Sequence, residues 1–242
     1  MDPGNTFLRE TNIRPSHTGK EAGIPQPGKK TCSPTQKMVI LPGVTKKTFP
    51  GIDLKTVLEN RRSIRNYSKI PVSLAELSVL LMYTQGIREG TGKTELRHVP
   101  SAGAQYPIET YLLVNRVEGL DPGIYRYLPL DHAVVREDCS GSDYLDVASA
   151  TKKPEMIRDS AVTFIWVACP ERELWLFGER GWRYLFLDAG HICQNLYLAG
   201  EAIHCGVCAV GSFVDDEVNE AIGIDGEKEF VIYMATVGKR EG

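Results

Sequence analysis

The sequence predicts an α+β domain built around one long, buried helix. Between residues 182 and 202 the apolar side chains recur at alternating steps of three and four, which places them on one continuous seam of a helix. Six candidate strands surround this helix without the strict helix-strand alternation of a doubly wound parallel sheet. The seam consists of Leu185, Ala189, Ile192, Leu196, Ala199 and Ile203.

The other elements follow from local signals. An acid at Asp53 begins a short helix that runs to Asn60, and Ser73 with Glu76 has the spacing of a capping box at the start of a second helix. Apolar and β-branched runs predict the strands. Their ranges are Glu109–Val114, Ile124–Tyr127, Ala133–Arg136, Ala161–Ala168, Gly206–Val210 and Phe230–Val237.

Composition narrows the class of protein. The 242 residues are 42% hydrophobic and 24% charged, values typical of a folded domain. The net charge of −3 argues against a protein whose main role is to bind the phosphates of nucleic acids. Apolar runs such as Val207–Val210 are too short to span a bilayer, and the six scattered cysteines, with no signal peptide before them, predict reduced thiols in the cytoplasm.

The first fifty residues differ from the rest of the chain. They contain seven of the fourteen prolines and eight Lys or Arg against three acids, so they carry about +5 and the remainder about −8. We therefore expect residues 1–50 to form a proline-rich basic arm and residues 51–242 to form the domain. The arm is either a loosely ordered tail or an extended segment wrapped on a partner subunit.

Several partial motifs lack what their chemistry needs. The run Gly90–Thr94 ends like a phosphate-binding loop, but it follows a helix and Ile87 stands where the first glycine belongs. No Gly-x-Gly-x-x-Gly fingerprint occurs. Cys205 and Cys208 have the spacing of two zinc thiolates but no second pair follows, so we expect buried, inert thiols and no metal site.

A polar stripe also lies on the long helix. Asp188, His191 and Asn195 share one face at helical spacing. The stripe is interpreted either as a hydrogen-bond network against a neighbouring helix or as a catalytic dyad, and the first occurs more often.

Three segments together suggest a binding site. Arg61, Arg62 and Arg65 surround Ser63 where the first short helix stops, and they form a cationic cluster. The small residues of Pro100–Pro107 and of Val210–Ser212 flank predicted strands, so their backbone can approach a flat ligand closely. These features match the needs of a phosphorylated planar cofactor.

Four motifs in this order resemble the SagB-type dehydrogenases of the nitroreductase-like flavoprotein superfamily. The resemblance runs from about residue 53 to residue 239. It implies a nitroreductase-like fold with a mainly antiparallel sheet, FMN as the cofactor, and a homodimer with the flavin at its interface. The motifs are Arg61–Arg65, Pro100–Pro107, Gly119–Tyr127 and Asp188–Leu196.

The resemblance also implies roles for single residues. It places Arg61, Arg62, Ser63 and Arg65 on the FMN phosphate, the ribityl chain and the ring edge. It brings Pro100, Ser101, Ala102 and Gly103 against the isoalloxazine, from the same subunit or its partner. It sets Val210, Gly211 and Ser212 near N5 of the flavin.

Azoline-oxidising members of the group use a Lys-Tyr pair in proton removal, and the nearest pair here is Arg183–Tyr184. Arg remains protonated and is a poor base, so this candidate catalytic pair can equally anchor the long helix. Many nitroreductases also bind the phosphate through cations after the last strand, a role open to Lys239 and Arg240.

The predicted function is hydride transfer by an FMN-dependent oxidoreductase between a nicotinamide donor, NADH or NADPH, or an oxidisable substrate, and a small acceptor. The alternatives are an azoline dehydrogenase that modifies a peptide and a non-catalytic flavin-binding subunit of a larger assembly. We expect small molecules or a modified peptide as partners, and neither nucleic acid nor membrane.

Overall fold

A computed structural model describes residues 2–13, 18–88, 95–138 and 145–241. The partial phosphate-binding motif Gly90–Thr94 lies outside the described residues. Seven strands form one sheet in the order β1-β4-β3-β2-β5-β7-β6, and all six neighbouring pairs are antiparallel. The strands are β1 (Met38–Ile40), β2 (Ile108–Val114), β3 (Gly123–Leu128), β4 (Ala133–Arg136), β5 (Val162–Ala168), β6 (Cys205–Val210) and β7 (Phe230–Lys239).

Helices cover both faces of this sheet. One face packs against α3 and the long helix α7, whose Leu185 and Leu196 are fully buried. The other face packs against the shorter α4, α5 and α8. The predicted α+β class with an antiparallel sheet and a long buried helix is confirmed. The helices are α1 (Pro3–Glu10), α2 (Leu54–Asn60), α3 (Leu74–Gln85), α4 (Leu145–Ser149), α5 (Pro154–Asp159), α6 (Pro170–Phe177), α7 (Gly181–Ala202) and α8 (Asp215–Ala221).

Capping side chains fix where the predicted helices begin. Asp53 precedes α2, and its carboxylate accepts a hydrogen bond from the Thr56 N–H at 2.9 Å. Ser73 and Glu76 form a complete capping box at the start of α3, with each side chain accepting from the other residue's backbone N–H. Both contacts satisfy N–H groups that the first turn of a helix leaves without partners.

The N-terminal fifty residues lie against the rest of the same chain. The indole of Trp175 donates to the Ile24 carbonyl at 2.7 Å, and the Arg172 guanidinium donates to the Gly28 carbonyl at 3.2 Å. Strand β1 pairs with β4 at the edge of the sheet. The division into an arm over residues 1–50 and a domain over residues 51–242 stays a prediction.

The structure shows no membrane-spanning helix in the part of the chain that it describes. None of the helices there combines the length and the apolar character needed to traverse a bilayer.

Candidate active site

The arginine segment lies along the free edge of β6. Helix α2 ends at Asn60, and Arg61 follows it in an extended conformation. The Ile64 N–H then donates to the Val207 carbonyl at 2.9 Å, and Ser63 forms a parallel bridge with Val207. The outer edge of the sheet therefore holds this segment in place.

Tyr197 of α7 joins the arginine segment to β6. Its hydroxyl lies 2.9 Å from the Ser63 hydroxyl and accepts a hydrogen bond from the Ala209 N–H at 2.8 Å. The Arg61 guanidinium lies over the Tyr197 ring, 5.3 Å from its centroid, at a cation–π distance. One buried phenol thus positions two of the residues predicted to bind the cofactor.

The cations of this cluster are not neutralised by nearby acids. Among the described residues, no carboxylate lies within ion-pair distance of Arg61, Arg62 or Arg65. Burial raises the pKa of the neighbouring Cys208 thiol, and the charges of Arg65 and Lys153 oppose that shift. Lys153 and Arg65 thus both place positive charge near Cys208, and this part of the site favours an anion.

The end of β6 provides an open backbone surface beside this cluster. Val210 is buried, whereas Gly211 and Ser212 are exposed. A Cβ added at Gly211 would lie 3.6 Å from the Tyr233 ring and within 4 Å of no other described residue outside its chain neighbours. The Ser212 carbonyl accepts a hydrogen bond from the Lys152 N–H at 3.3 Å, which places the segment before α5 next to it. A flat ligand can therefore approach the backbone here closely.

The second small-residue segment, Pro100–Gly103, leads into β2. Gly103 has φ +55°, and an added Cβ would lie 2.6 Å from the Leu176 side chain and 2.9 Å from that of Phe177. Glycine is required there for both its conformation and its size. The Ser101 hydroxyl oxygen accepts a hydrogen bond from the Tyr106 N–H at 2.9 Å and so closes the turn.

The two surfaces lie at the same end of the sheet. In the strand registers, Ile108 at the start of β2 is opposite Ala168, and Ala168 is opposite Phe230, while β6 ends beside Met234. Strands β5 and β7 lie between β2 and β6, so three strand spacings, about 14 Å, separate β2 from β6 across the sheet. Among the described residues, no hydrogen bond or ion pair connects them.

Arg183 and Tyr184 lie near Pro100–Gly103 and not at the arginine cluster. The Tyr184 ring packs edge-on against Phe177, with 4.9 Å between centroids, and Phe177 in turn borders Gly103. The Arg183 guanidinium donates to the Thr11 hydroxyl and to the Leu8 carbonyl, both at 2.7 Å. Arg183 therefore fixes the N-terminal segment on α7.

The two cations at the end of the last strand have acidic partners. Lys239 forms an ion pair with Glu76, and Arg240 forms one with Glu201. Lys239 is opposite Cys205, at the start of β6, whereas Gly211 and Ser212 follow the other end of that strand. The structure thus uses both cations to fix the end of β7 to α3 and α7.

The polar stripe of α7 makes contacts with neighbouring segments. Asp188 accepts a hydrogen bond from the Ala102 N–H at 3.4 Å, and Asn195 donates to the Tyr83 carbonyl at 2.8 Å. His191 is exposed. Cys205 and Cys208 are buried in β6, and burial raises the pKa of Cys205 to about 12. These thiols are protonated at neutral pH and therefore poor nucleophiles.

Sequence reasoning missed two members of the cluster. Tyr197 stands between residues of the apolar seam, so its pattern resembles that of a core residue. Lys153 lies about ninety residues from Arg65 along the chain. No local signal identifies either one, because each joins the site only through the pairing of β6 with its neighbours.

The comparison with known families agrees with this geometry. The profile of the nitroreductase family matches residues 58–239, which include the arginine segment, both small-residue surfaces and the sheet from β2 to β7. The chain belongs to the nitroreductase family.

Relatives of this member of the nitroreductase family fall into two groups. It is 36% identical over 191 residues to the nitroreductase homologue MJ1384 of Methanocaldococcus jannaschii, which covers 78% of this chain and 92% of that protein. It is 26% identical to the trifolitoxin-processing protein TfxB of Rhizobium leguminosarum bv. trifolii and to the microcin B17-processing protein McbC of Escherichia coli. Those matches cover 64% and 53% of this chain, but only 44% and 49% of TfxB and McbC, about half their length.

Solved structures share the fold. A nitroreductase homologue from Anabaena variabilis has a TM-score of 0.65 at 30% identity, covering 78% of this chain but only 38% of its own. The E. coli McbBCD complex with bound truncated pro-MccB17 contains a chain with a TM-score of 0.65 at 19% identity, covering 98% of this chain and 87% of that one. A Desulfovibrio desulfuricans homologue solved in complex with FMN has a TM-score of 0.54 at 16% identity, covering 79% and 88%.

Proposed function

We propose that this nitroreductase binds FMN and transfers hydride between a nicotinamide donor or an oxidisable substrate and a small acceptor. The observation that carries the proposal is the cluster of Arg61, Arg62 and Arg65, which has no acidic partner among the residues described. Such a cluster beside an open backbone surface fits a dianionic phosphate attached to a flat ring system. Family membership supports the same reading.

The residues of the chain have distinct tasks in this proposal. Arg61, Arg62 and Ser63 hold the phosphate and the ribityl chain, and the contact between Ser63 and Tyr197 keeps the hydroxyl in place. Arg65, with Lys153 nearby, places positive charge at the ring edge, where it favours the reduced, negatively charged flavin. The backbone of Val210, Gly211 and Ser212 faces the N5 edge. FMN itself, when bound, accepts and donates the hydride.

The hydride donor in this proposal is NADH or NADPH. Family members receive hydride by stacking of the donor on the flavin, which requires an open cleft and no separate nucleotide-binding domain. The exposure of Gly211 and Ser212 supports such a cleft. The chain also lacks a Gly-x-Gly-x-x-Gly fingerprint, so a stacked donor is the simplest arrangement.

A homodimer completes the proposed site. In one chain the cationic cluster lies beyond the outer edge of β6 and the Pro100–Gly103 surface precedes β2, with strands β5 and β7 between β2 and β6. A two-fold partner would bring the Pro100–Gly103 surface of one subunit to the isoalloxazine held by the other. Exposed Phe186 and Leu187 on α7 supply apolar surface for such an interface. We place the protein in the cytoplasm.

A second candidate is an azoline dehydrogenase that acts on a modified peptide. Its support is the similarity to McbC and TfxB and the fold shared with the peptide-bound McbBCD complex. In that reaction Arg183 and Tyr184 would stand where other members have a Lys-Tyr pair. The engagement of Arg183 with Thr11 and Leu8 favours the anchoring role instead. A third possibility is a flavin-binding subunit of a larger assembly without turnover of its own.

The test is anaerobic reduction of the purified protein. Absorbance near 370 and 450 nm establishes the flavin, and loss of the longer-wavelength band on addition of NADH or NADPH identifies the donor. Reoxidation by a quinone or a nitroaromatic compound then supports the main proposal. Reduction by an azoline peptide but by neither nicotinamide favours the dehydrogenase. A flavin that none of these reagents reduces or reoxidises favours the non-catalytic subunit.

A further inference from the structure

A pair of buried carboxyl groups lies beneath the Pro100–Gly103 surface. Glu173 on α6 has no exposed surface, and neither of its oxygens has a hydrogen-bond partner among the described residues. Asp188 on α7 is 4% exposed, and its Oδ1 accepts from the Ala102 N–H while its Oδ2 has no such partner. Two buried acids with unpaired carboxyl oxygens are costly at one place in a fold and call for a reason.

The two acids differ in charge at neutral pH. Burial raises the pKa of Glu173 to about 8, and the nearby charge of Asp188 adds to the shift. Burial also raises the pKa of Asp188, but the Ser101 hydroxyl, the Ala102 N–H and His191 lower it. Ser101, Ala102 and His191 all favour the ionised form of Asp188, and none of them acts on Glu173, so the negative charge resides on Asp188 and Glu173 keeps a proton.

The segment above the pair has a strained backbone. Gly103, Ala104 and Tyr106 have φ values of +55°, +54° and +49°, a region that non-glycine residues rarely adopt. For Ala104 and Tyr106 such conformations are strained and persist only where the surroundings hold them, whereas glycine adopts them readily. Here Asp188 binds Ser101 and Ala102, at the start of the strained turn, and Ser101 binds the Tyr106 N–H at its end.

We propose that Asp188 positions the flavin-facing segment Pro100–Gly103 and that the buried Glu173 supports Asp188 in this role. Glu173 does so by keeping its proton, which leaves the single negative charge of the pair on Asp188. Asp188 acts through the Ser101 hydroxyl and the Ala102 N–H and does not touch the cofactor. The proposal rests on the FMN site proposed above for its functional part. The link between Asp188 and the backbone can be measured without FMN.

The first measurement is amide hydrogen exchange in the unliganded protein. Asp188→Asn removes the charge that strengthens the bonds from Ser101 and Ala102, so exchange over residues 101–106 becomes roughly tenfold faster. Ser101→Ala removes the partner of one of these bonds and gives the same acceleration. This variant provides the test if Asp188→Asn does not fold. Unchanged exchange in a folded Asp188→Asn or Ser101→Ala protein overturns the proposal.

The second measurement is FMN affinity as a function of pH. In the wild-type protein affinity weakens above about pH 8, because Glu173 loses its proton and repels Asp188. Glu173→Gln keeps the uncharged state and removes this alkaline loss, whereas Glu171→Gln, an exposed substitution on the same helix, retains it. Asp188→Asn binds FMN roughly 5- to 20-fold more weakly at pH 7.

The two proposals fail in different ways. A wild-type protein that binds no FMN rejects the proposed function and with it the functional part of this inference, while the exchange result still decides whether Asp188 holds the segment. A wild-type protein that binds FMN, with an alkaline loss that persists in Glu173→Gln, overturns the role of Glu173 and leaves the FMN site intact.

Discussion

The hydroxyl groups of Ser63 and Tyr197 lie 2.9 Å apart, and this contact links the arginine segment to the long helix. Tyr197 accepts a hydrogen bond from the Ala209 N–H, so its own proton is available to Ser63. The Ser63 proton is then free for an anionic ligand. One tyrosine of the core thereby determines how a surface serine presents its hydroxyl.

Tyr197→Phe tests this relationship. Loss of one hydrogen bond at the site should weaken FMN binding roughly 3- to 12-fold, with little change in the visible spectrum of the bound flavin. Titration of the apoprotein with FMN measures the effect. Tyr125→Phe is the matched control, because its buried hydroxyl donates to the Asp121 carbonyl far from the cluster. Equal affinities of the two variants would reject the role of Tyr197.

Arg61→Ala and Arg65→Ala test the cationic cluster. Each charge-assisted bond to phosphate or ring edge is worth roughly 1.5 to 3 kcal/mol, so each loss should weaken FMN binding roughly 10- to 150-fold. Both variants should fold and purify with less than one flavin per chain. Arg136→Ala, an exposed arginine on β4, should keep the wild-type affinity. Full flavin occupancy in both cluster variants would show that the arginines form a solvated surface and do not bind FMN.

Arg183→Ala distinguishes anchoring from catalysis. If Arg183 anchors the N-terminal segment, the variant exchanges its amide hydrogens faster over residues 2–13 and retains turnover. Thr11→Val removes the hydroxyl that accepts a hydrogen bond from Arg183 and should give the same faster exchange. Loss of turnover in Arg183→Ala but not in Thr11→Val would instead place the guanidinium at the substrate. Exchange measured by mass spectrometry and steady-state rates are the two readouts.

Gly103→Ala tests the conformation of the flavin-facing surface. Its positive φ and its contacts with Leu176 and Phe177 leave no room for a methyl group. The substitution should cost roughly 1–3 kcal/mol and lower the Tm by about 2–10 °C. Gly51→Ala is the control, because an added Cβ meets nothing within 4 Å there. A thermal melt of each variant, without FMN, gives the comparison; equal Tm values would contradict the assigned strain.

The raised pKa of Glu173 predicts how stability depends on pH. The folded protein binds this proton more tightly than the unfolded chain, where the pKa of Glu is about 4.3. The stabilisation that proton binding at Glu173 gives the folded protein is therefore fully present below about pH 4.3. It is lost as the pH rises toward 8, by at most about 1.4 kcal/mol per pH unit. The free energy of unfolding of Glu173→Gln should rise relative to that of the wild type as the pH increases through this window. Above the window the difference should stay constant. Urea unfolding from pH 5 to 9 measures this difference. A difference that does not change with pH would contradict the raised pKa of Glu173.

Periodicity predicted the strongly patterned elements. The seam of α7 and the buried run of β2 are read directly from the chain, and the antiparallel sheet agrees with the family resemblance. Strand β1 has only three residues and was not predicted, since so short a run carries no period. Helix α6 mixes polar and apolar residues over eight positions, and its Glu173 is buried against expectation for an acid.

The candidate site was predictable only where its residues are close in the sequence. Arg61, Arg62, Ser63 and Arg65 form one run, and so do Pro100–Gly103. Distant parts of the chain meet where Lys153 and Arg65 both act on Cys208. They meet again where the Ser63 hydroxyl contacts that of Tyr197 and where Arg183 donates to the Thr11 hydroxyl. Such contacts depend on tertiary packing, for which a single sequence carries no local signal.

The covering of both edges of the sheet has a consequence for truncation of the protein. At one margin, β4 exchanges its backbone hydrogen bonds with the three residues of β1, and at the other, β6 is capped by Ile64. A chain shortened to begin after residue 50 would uncover the outer row of β4 amides and carbonyls. Exposed rows of this kind recruit strands from other molecules, so the shortened protein should form soluble aggregates or filaments where the full chain does not.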